Sequence, residues 1–229
     1  MNGEYHIERN ASMSVFPKLF GHDEKLERFF RAVDFLEWES RVGRREEGPR
    51  VWFLVDIGAR VTKIELVSRE GVICEKKLKM GGDDMDNAIM MYMRTVRRCC
   101  IDRRMAELVK AKVGSAWELD SELDFEVLGQ DVDEGGVRTY KIDSREIREE
   151  ALAGVFDRIE EALSDFMTHR VTREHVADIA KHGFILTGGC ARLPGLDRRL
   201  AAAMGIPVRI YSEWAGVSGF TNPVSELAS

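Results

Sequence analysis

The alternation of apolar and polar positions breaks at residues 51–55, where Val51, Trp52, Phe53, Leu54 and Val55 follow one another without a polar residue. Such a run suits a strand covered on both faces rather than one half open to water. Asp56 ends it, and Gly58 lets the chain turn just beyond. A carboxylate there is costly to bury alone, so it accepts backbone N–H bonds or faces a cation. The turn itself has two readings: it aims amide groups at a phosphate, or it closes as an Asx-type turn with no ligand. Residues 62–68 then alternate Ile64 and Leu66 with Lys63 and Glu65, and residues 71–78 follow a short turn, which predicts a three-strand meander. Gly81 and Gly82 stop the third strand. Asp83 or Asp84 is expected to cap a helix carrying Met85, Ile89, Met93 and Val96 on one face, thickened by Met90, Met91 and Tyr92.

Farther on, residues 105–116 read as a second helix with Glu107 and Lys110 on the same side at i and i+3, a spacing that by itself suggests a surface ion pair. Residues 125–128 and 137–142 form a predicted hairpin with an acidic loop. Asp143 and Glu146 have the spacing of a capping box, opening a long helix with Ile147, Ala151, Val155, Ile159, Ala162 and Phe166 inward. A short helix at 175–182 stops at Gly183. A buried strand at 184–186 then meets the Thr187, Gly188, Gly189 turn, a helix around 196–204 and a last strand at 206–211. The second glycine turn again offers backbone amides to a phosphate or ribose.

Upstream of the apolar run, residues 13–20 place Val15, Phe16, Leu19 and Phe20 on one face of a short helix, which either docks on its own domain or touches a membrane surface weakly. Residues 23–39 carry Leu26, Phe29, Phe30, Val33 and Leu36 at helical spacing, with Phe35 and Trp38 on a neighbouring face. So aromatic a helix has to cover something large. The charged stretch at 43–50 is its linker.

Composition narrows the function classes. The 229 residues are 44% hydrophobic and 32% charged, ordinary for a globular protein, and are enough for one buried domain or two small lobes. Against 40 acidic residues stand 34 basic ones, and the net charge of -6 argues against the chain as a whole being a nucleic-acid binder. The basic stretch at Arg94, Arg97, Arg98, Arg103 and Arg104 reads as a solvated helix end first and a phosphate patch second. Four cysteines without a paired CxxC spacing suggest a reducing, cytoplasmic setting. No apolar run approaches the roughly 20 residues of a membrane span. His169, His175 and His182 lack a metal-ligand spacing, so no metal site is expected on them.

Five stretches in order carry a resemblance: VDIGARVT at 55–62, GGDDMD at 81–86 with Ala88 and Ile89 following, AELVKAKVGSA at 106–116, LTGGCARLPGL at 186–196 and MGIPV at 204–208. Together they resemble the bacterial actin homologue MreB family, over about 160 residues from Val51 to Ile210. The resemblance implies an α/β fold, one actin-like (ribonuclease-H-like) half with a mixed sheet flanked by helices and a small α+β subdomain inserted at about 96–145. On this reading residues 1–50 are an amphipathic and aromatic segment with its linker, 51–212 the second actin domain, and 213–229 a tail.

By the same resemblance, Asp56, Gly58, Ala59 and Arg60 stand at a phosphate loop, Glu107 and Lys110 at an adenosine ribose, and Gly188, Gly189, Cys190 and Ala191 against adenosine and phosphates. The implied cofactor is ATP with magnesium. Two departures change the picture. Ala59, Arg60 and Val61 stand where the family has glycine, glycine and threonine, adding side chains where backbone should approach a polyphosphate. Residues 1–50 also contain no Asp-x-Gly phosphate loop of the family's first domain, so the chain is expected to lack most of that domain. The expected function is a cell-shape, cytoskeletal role through self-association or binding to a full-length homologue, with ATP binding weak or lost and no catalytic residue assigned. The alternative is a functional ATPase of the actin superfamily.

Overall fold

The computed structural model describes residues 50–68, 70–212 and 216–217. The expected helices at 13–20 and 23–39, their membrane-surface alternative, and most of the tail lie outside the described residues.

The apolar run becomes β1 (Val51–Ile57), and its alternation is two-sided: every residue from Val51 to Val55 is buried. It pairs antiparallel with β2 (Thr62–Ser68), which pairs antiparallel with β3 (Gly71–Leu78), giving the predicted meander. After the helix α1 (Gly82–Thr95) come a two-residue strand β4 (Cys99–Cys100), α2 (Arg103–Val113), and the hairpin β5 (Asp124–Asp131) and β6 (Val137–Asp143). Strands β4, β5 and β6 form a small sheet of their own. A long helical stretch then begins as α3 (Ser144–Glu146), widens into a π-helical turn (Ile147–Leu152) and continues as α4 (Ala153–Arg170). The short helix α5 (Arg173–His182) leads into β7 (Phe184–Thr187), a 3-10 turn (Gly189–Arg192), α6 (Leu196–Met204), β8 (Val208–Ser212) and β9 (Gly216–Val217).

The main sheet runs β3-β2-β1-β7-β8-β9. Strands β1, β7 and β8 are parallel neighbours, whereas β2, β3 and β9 run antiparallel to theirs, so the sheet is mixed as predicted. Phe53 anchors its core face, stacked on Phe166 of α4 with centroids 5.6 Å apart and meeting Phe184 of β7 edge-on at the same distance. Met85, Ile89 and Met93 of α1 join the same cluster, fully buried.

Several local expectations change. Val96 and Met91 are exposed, because α1 ends at Thr95 and Met91 faces away from the core. Neither Asp83 nor Asp84 is the N-cap of α1. Gly81 takes that place, and the Asp84 carboxylate reaches back to accept its N–H at 2.9 Å, the reverse half of a capping box. At Asp143 the forward half is present: its carboxylate accepts from Glu146 N at 2.8 Å. The π-helical turn was not legible in the apolar spacing. It brings Arg148 inside, where its guanidinium donates to Glu122 at 2.7 Å, Ser115 Oγ at 3.1 Å and the Trp117 carbonyl at 3.3 Å. That cation pins the connection between α2 and β5 to the helix, and it holds the Glu122 carboxyl below its ordinary range.

Candidate functional site

Three chain turns meet at the end of the sheet where β1 and β7 run out in parallel. Parallel strands of an α/β sheet end in the crevice where ligands settle. Gly58 N–H donates to the Val61 carbonyl at 3.0 Å, closing the β1–β2 turn. The turn's own carbonyls are then capped by α1: Gly82 N donates to Gly58 O at 3.0 Å and Asp83 N to Ala59 O at 2.7 Å. This contact demands glycine at position 81, where a Cβ would lie 2.3 Å from Gly58 O and 2.7 Å from Ala59 O. From the other side, Cys190 Sγ donates to Gly58 O at 3.6 Å. Behind it, Gly188 has φ 93 and lies so close to β1 that a Cβ would sit 2.3 Å from Asp56 Oδ1, so both its conformation and its contact exclude a side chain.

Between these turns and α2 lies a cleft of about 500 Å³, within the usual range for small-molecule sites. Its polar walls are Asp83 and Asp86 of α1, Glu107 and Lys110 of α2, and Arg192. Asp86 is buried, at 2% exposure, and its carboxylate meets the Lys110 ammonium at 2.6 Å. Lys110 also donates to the Gly82 carbonyl at 3.0 Å. The ammonium is thus held by one hydrogen bond and one ion pair at the wall of the cleft. Asp83 is paired with Arg103 at 2.7 Å, and Arg103 approaches Glu107 at 3.6 Å. Glu107 and Lys110 thus do not form the surface ion pair that their spacing suggested; each has another partner. Burial pushes the Cys190 thiol above its ordinary range, against the pull of Lys110 nearby.

Of the residues the sequence singled out, Ala59, Glu107, Lys110, Gly189 and Cys190 line this cleft. Gly58 lies behind it, bonded to Gly82 and Cys190, and Gly188 packs close against Asp56 outside the lining. Ala191 is instead buried in the core, and Arg60 is exposed on the turn outside the lining. The sequence reading assigned no role here to Gly82, Asp83 or Asp86. All three fall within the GGDDMD stretch, the one signal that pointed to them.

Comparison with known proteins gives consistent neighbours. A family model described as MreB/Mbl protein matches residues 46–218. The cell shape-determining protein MreB of Escherichia coli (strain K12) is 36% identical over 163 residues, covering 70% of this chain and 46% of that protein. The cell shape-determining protein Mbl of Bacillus subtilis (strain 168) is 32% identical over 181 residues, covering 77% and 54%. Among solved structures, MreB 5 of Spiroplasma citri bound to AMPPNP superposes with a TM-score of 0.68 at 26% identity, over 73% of this chain and 50% of that one. The chain spans about half the length of the curated relatives it matches.

Proposed function

Because the chain belongs to the MreB/Mbl family and has its actin-like fold, we propose that it acts in cell-shape organisation by association, with a cleft that holds a nucleoside better than a polyphosphate. The observation that carries this reading is the charge lining the cleft. Three carboxylates, Asp83, Asp86 and Glu107, face two cations, Lys110 and Arg192, and Lys110 is already held by Asp86. The first amides of α1, which a helix N-terminus would otherwise offer to an anion, are engaged by the carbonyls of the neighbouring turn. What remains suits hydroxyl groups: the Lys110 ammonium and the Glu107 carboxylate on one wall, glycine backbone on the other.

Bound ATP would bring a transferable phosphoryl group and magnesium, and the cleft fits these less well than it fits the sugar. Asp83 and Asp86 each hold a cation of the protein already. Charged-group hydrogen bonds contribute about 1.5 to 3 kcal/mol each. The Gly82 and Asp83 amides, engaged by the neighbouring turn, are two such donors withheld from a polyphosphate, about 3 to 6 kcal/mol together. At about 1.4 kcal/mol per tenfold, that weakens polyphosphate binding by about two to four powers of ten. Phosphoryl transfer, which depends on metal and donors around the whole γ-phosphate, is accordingly not the expected role.

The partner we propose is a second copy or a longer member of the family, as the resemblance implies: it matches residues 51–212 to a half of that fold expected to carry one side of the longitudinal subunit contacts. Sedimentation of the purified chain, alone and mixed with a full-length family member, tests this together with phosphate release in the same samples. Nucleotide-independent co-sedimentation without phosphate release is expected. A chain that stays monomeric and leaves the homologue's pelleting unchanged would overturn it.

A further inference from the structure

The main sheet has a second buried face that the core does not account for. Along one line of register, Glu65, Leu54, Ile185 and Arg209 are paired neighbours on β2, β1, β7 and β8, so their side chains share a face. Trp52 and Val67 form the next pair on that face. Leu54, Glu65, Trp52, Val67 and Ile185 are all 7% exposed or less, yet none belongs to the main hydrophobic cluster, which takes the opposite face through Phe53, Val55 and Phe184. Glu65 is ion-paired with Lys63 at 2.8 Å under this cover, and burial pulls the Arg209 guanidinium below its ordinary range. The covered line crosses four strands, about 14 Å at about 4.8 Å per strand. An occupant of that strip would be at least one helix wide.

We propose that residues 23–39 of the same chain are that cover, laid across β2, β1, β7 and β8 with Leu26, Phe29, Phe30 and Val33 on Trp52, Leu54, Val67 and Ile185. Length and connection support this occupant. As a helix, the 17 residues span about 25 Å and are about 10 Å across, enough for the covered line. The segment joins the sheet at β1, the strand that carries Trp52 and Leu54, and the 13 steps from Glu39 to Trp52 reach up to about 45 Å. Composition supports it too: this stretch has the chain's densest unassigned aromatic stripe. The tail beyond Ser212 offers scattered apolar residues interrupted by Pro223. Nothing in the proposal depends on nucleotide binding.

The test is disulfide mapping in the full chain. Paired substitutions Val33→Cys with Leu54→Cys, and as a control Val15→Cys with Leu54→Cys, are oxidised and digested, using an equal mixture of chains of natural and heavy nitrogen. The expected result is a 33–54 link within one chain, at least tenfold more abundant than the 15–54 link. A second measurement follows maleimide labelling of Leu54→Cys by peptide mass spectrometry, with exposed Cys100 as the internal standard. Adding Phe29→Asp and Val33→Asp should raise labelling at position 54 at least tenfold relative to Cys100 while far-ultraviolet dichroism is retained. Three results would overturn the proposal: no 33–54 link, a link found only between chains, which would make a second copy the cover, or unchanged labelling in the folded Asp variant. Should the Asp variant unfold, the disulfide result decides alone.

Discussion

Replacing Gly81 by alanine probes the joint on which the cleft is built. Gly81 has φ -175, an extended conformation open to any residue, so the substitution carries no backbone strain of its own. Its cost is contact: the new methyl would meet Gly58 O at 2.3 Å and Ala59 O at 2.7 Å, both backbone atoms that cannot rotate away. Two responses are open to the protein. Either α1 backs off the turn and loses the Gly82 N to Gly58 O and Asp83 N to Ala59 O hydrogen bonds, about 0.5 to 1.5 kcal/mol each, or it stays and bears an overpacked contact of about 1 to 3 kcal/mol. These are alternatives and not a sum, so a loss of about 1 to 3 kcal/mol is expected. Urea unfolding measures it as a lower midpoint at unchanged slope. Because Asp86 and Lys110 hang from the same joint, nucleoside affinity should fall along with stability. A change below about 0.5 kcal/mol would show that the α1 contact does not hold the turn and that the reasoning is wrong.

Lys110→Met leaves the Asp86 carboxylate buried without its cation and should cost about 2 to 3 kcal/mol, less than for a fully buried pair because Lys110 is partly solvated; adding Asp86→Leu should restore most of the loss in urea melts. The Arg148 guanidinium depresses the Glu122 carboxyl, so the folded state binds fewer protons there than the unfolded one as pH falls through the ordinary glutamate value of about 4.3. The stability from that group is present above this value and is lost as pH drops through the lower folded one; Glu122→Gln should flatten the acid limb of the stability curve, and an unchanged limb counts against the pairing. Alkylation at neutral pH should reach exposed Cys100 before Cys190, whose thiol is raised by burial, and adenosine should slow labelling of Cys190 alone, as read by peptide mass spectrometry.

The sheet was legible because Val51 to Val55 admits one reading, a strand covered twice, and because alternation in β2 set its register against β1. Glycine pairs marked two of the three turns at the cleft, and Gly58 the third. What escaped the sequence was decided by contacts distant along the chain. The pairing of Lys110 with Asp86 overrides the i, i+3 proximity to Glu107 because a buried carboxylate needs the cation more than an exposed one does. The cap of α1 moved to Gly81 because the joint with the β1–β2 turn leaves no room for a side chain there. Arg148 could not be foreseen inside the protein, since an arginine at that spacing reads as a surface residue until the π-helical turn rotates it inward. Ala191, set against adenosine and phosphates by the resemblance, is instead carried into the core by the 3-10 turn after Gly188.

The preference of the cleft is the claim most directly open to measurement. Isothermal titration of the purified chain with adenosine, AMP and ATP, each with and without magnesium, compares the three affinities under one set of conditions. Weak binding of all three is expected, within a few-fold of one another and insensitive to magnesium. Tight, magnesium-dependent preference for ATP, with turnover abolished by Asp56→Ala, would contradict it and make the chain an ATPase.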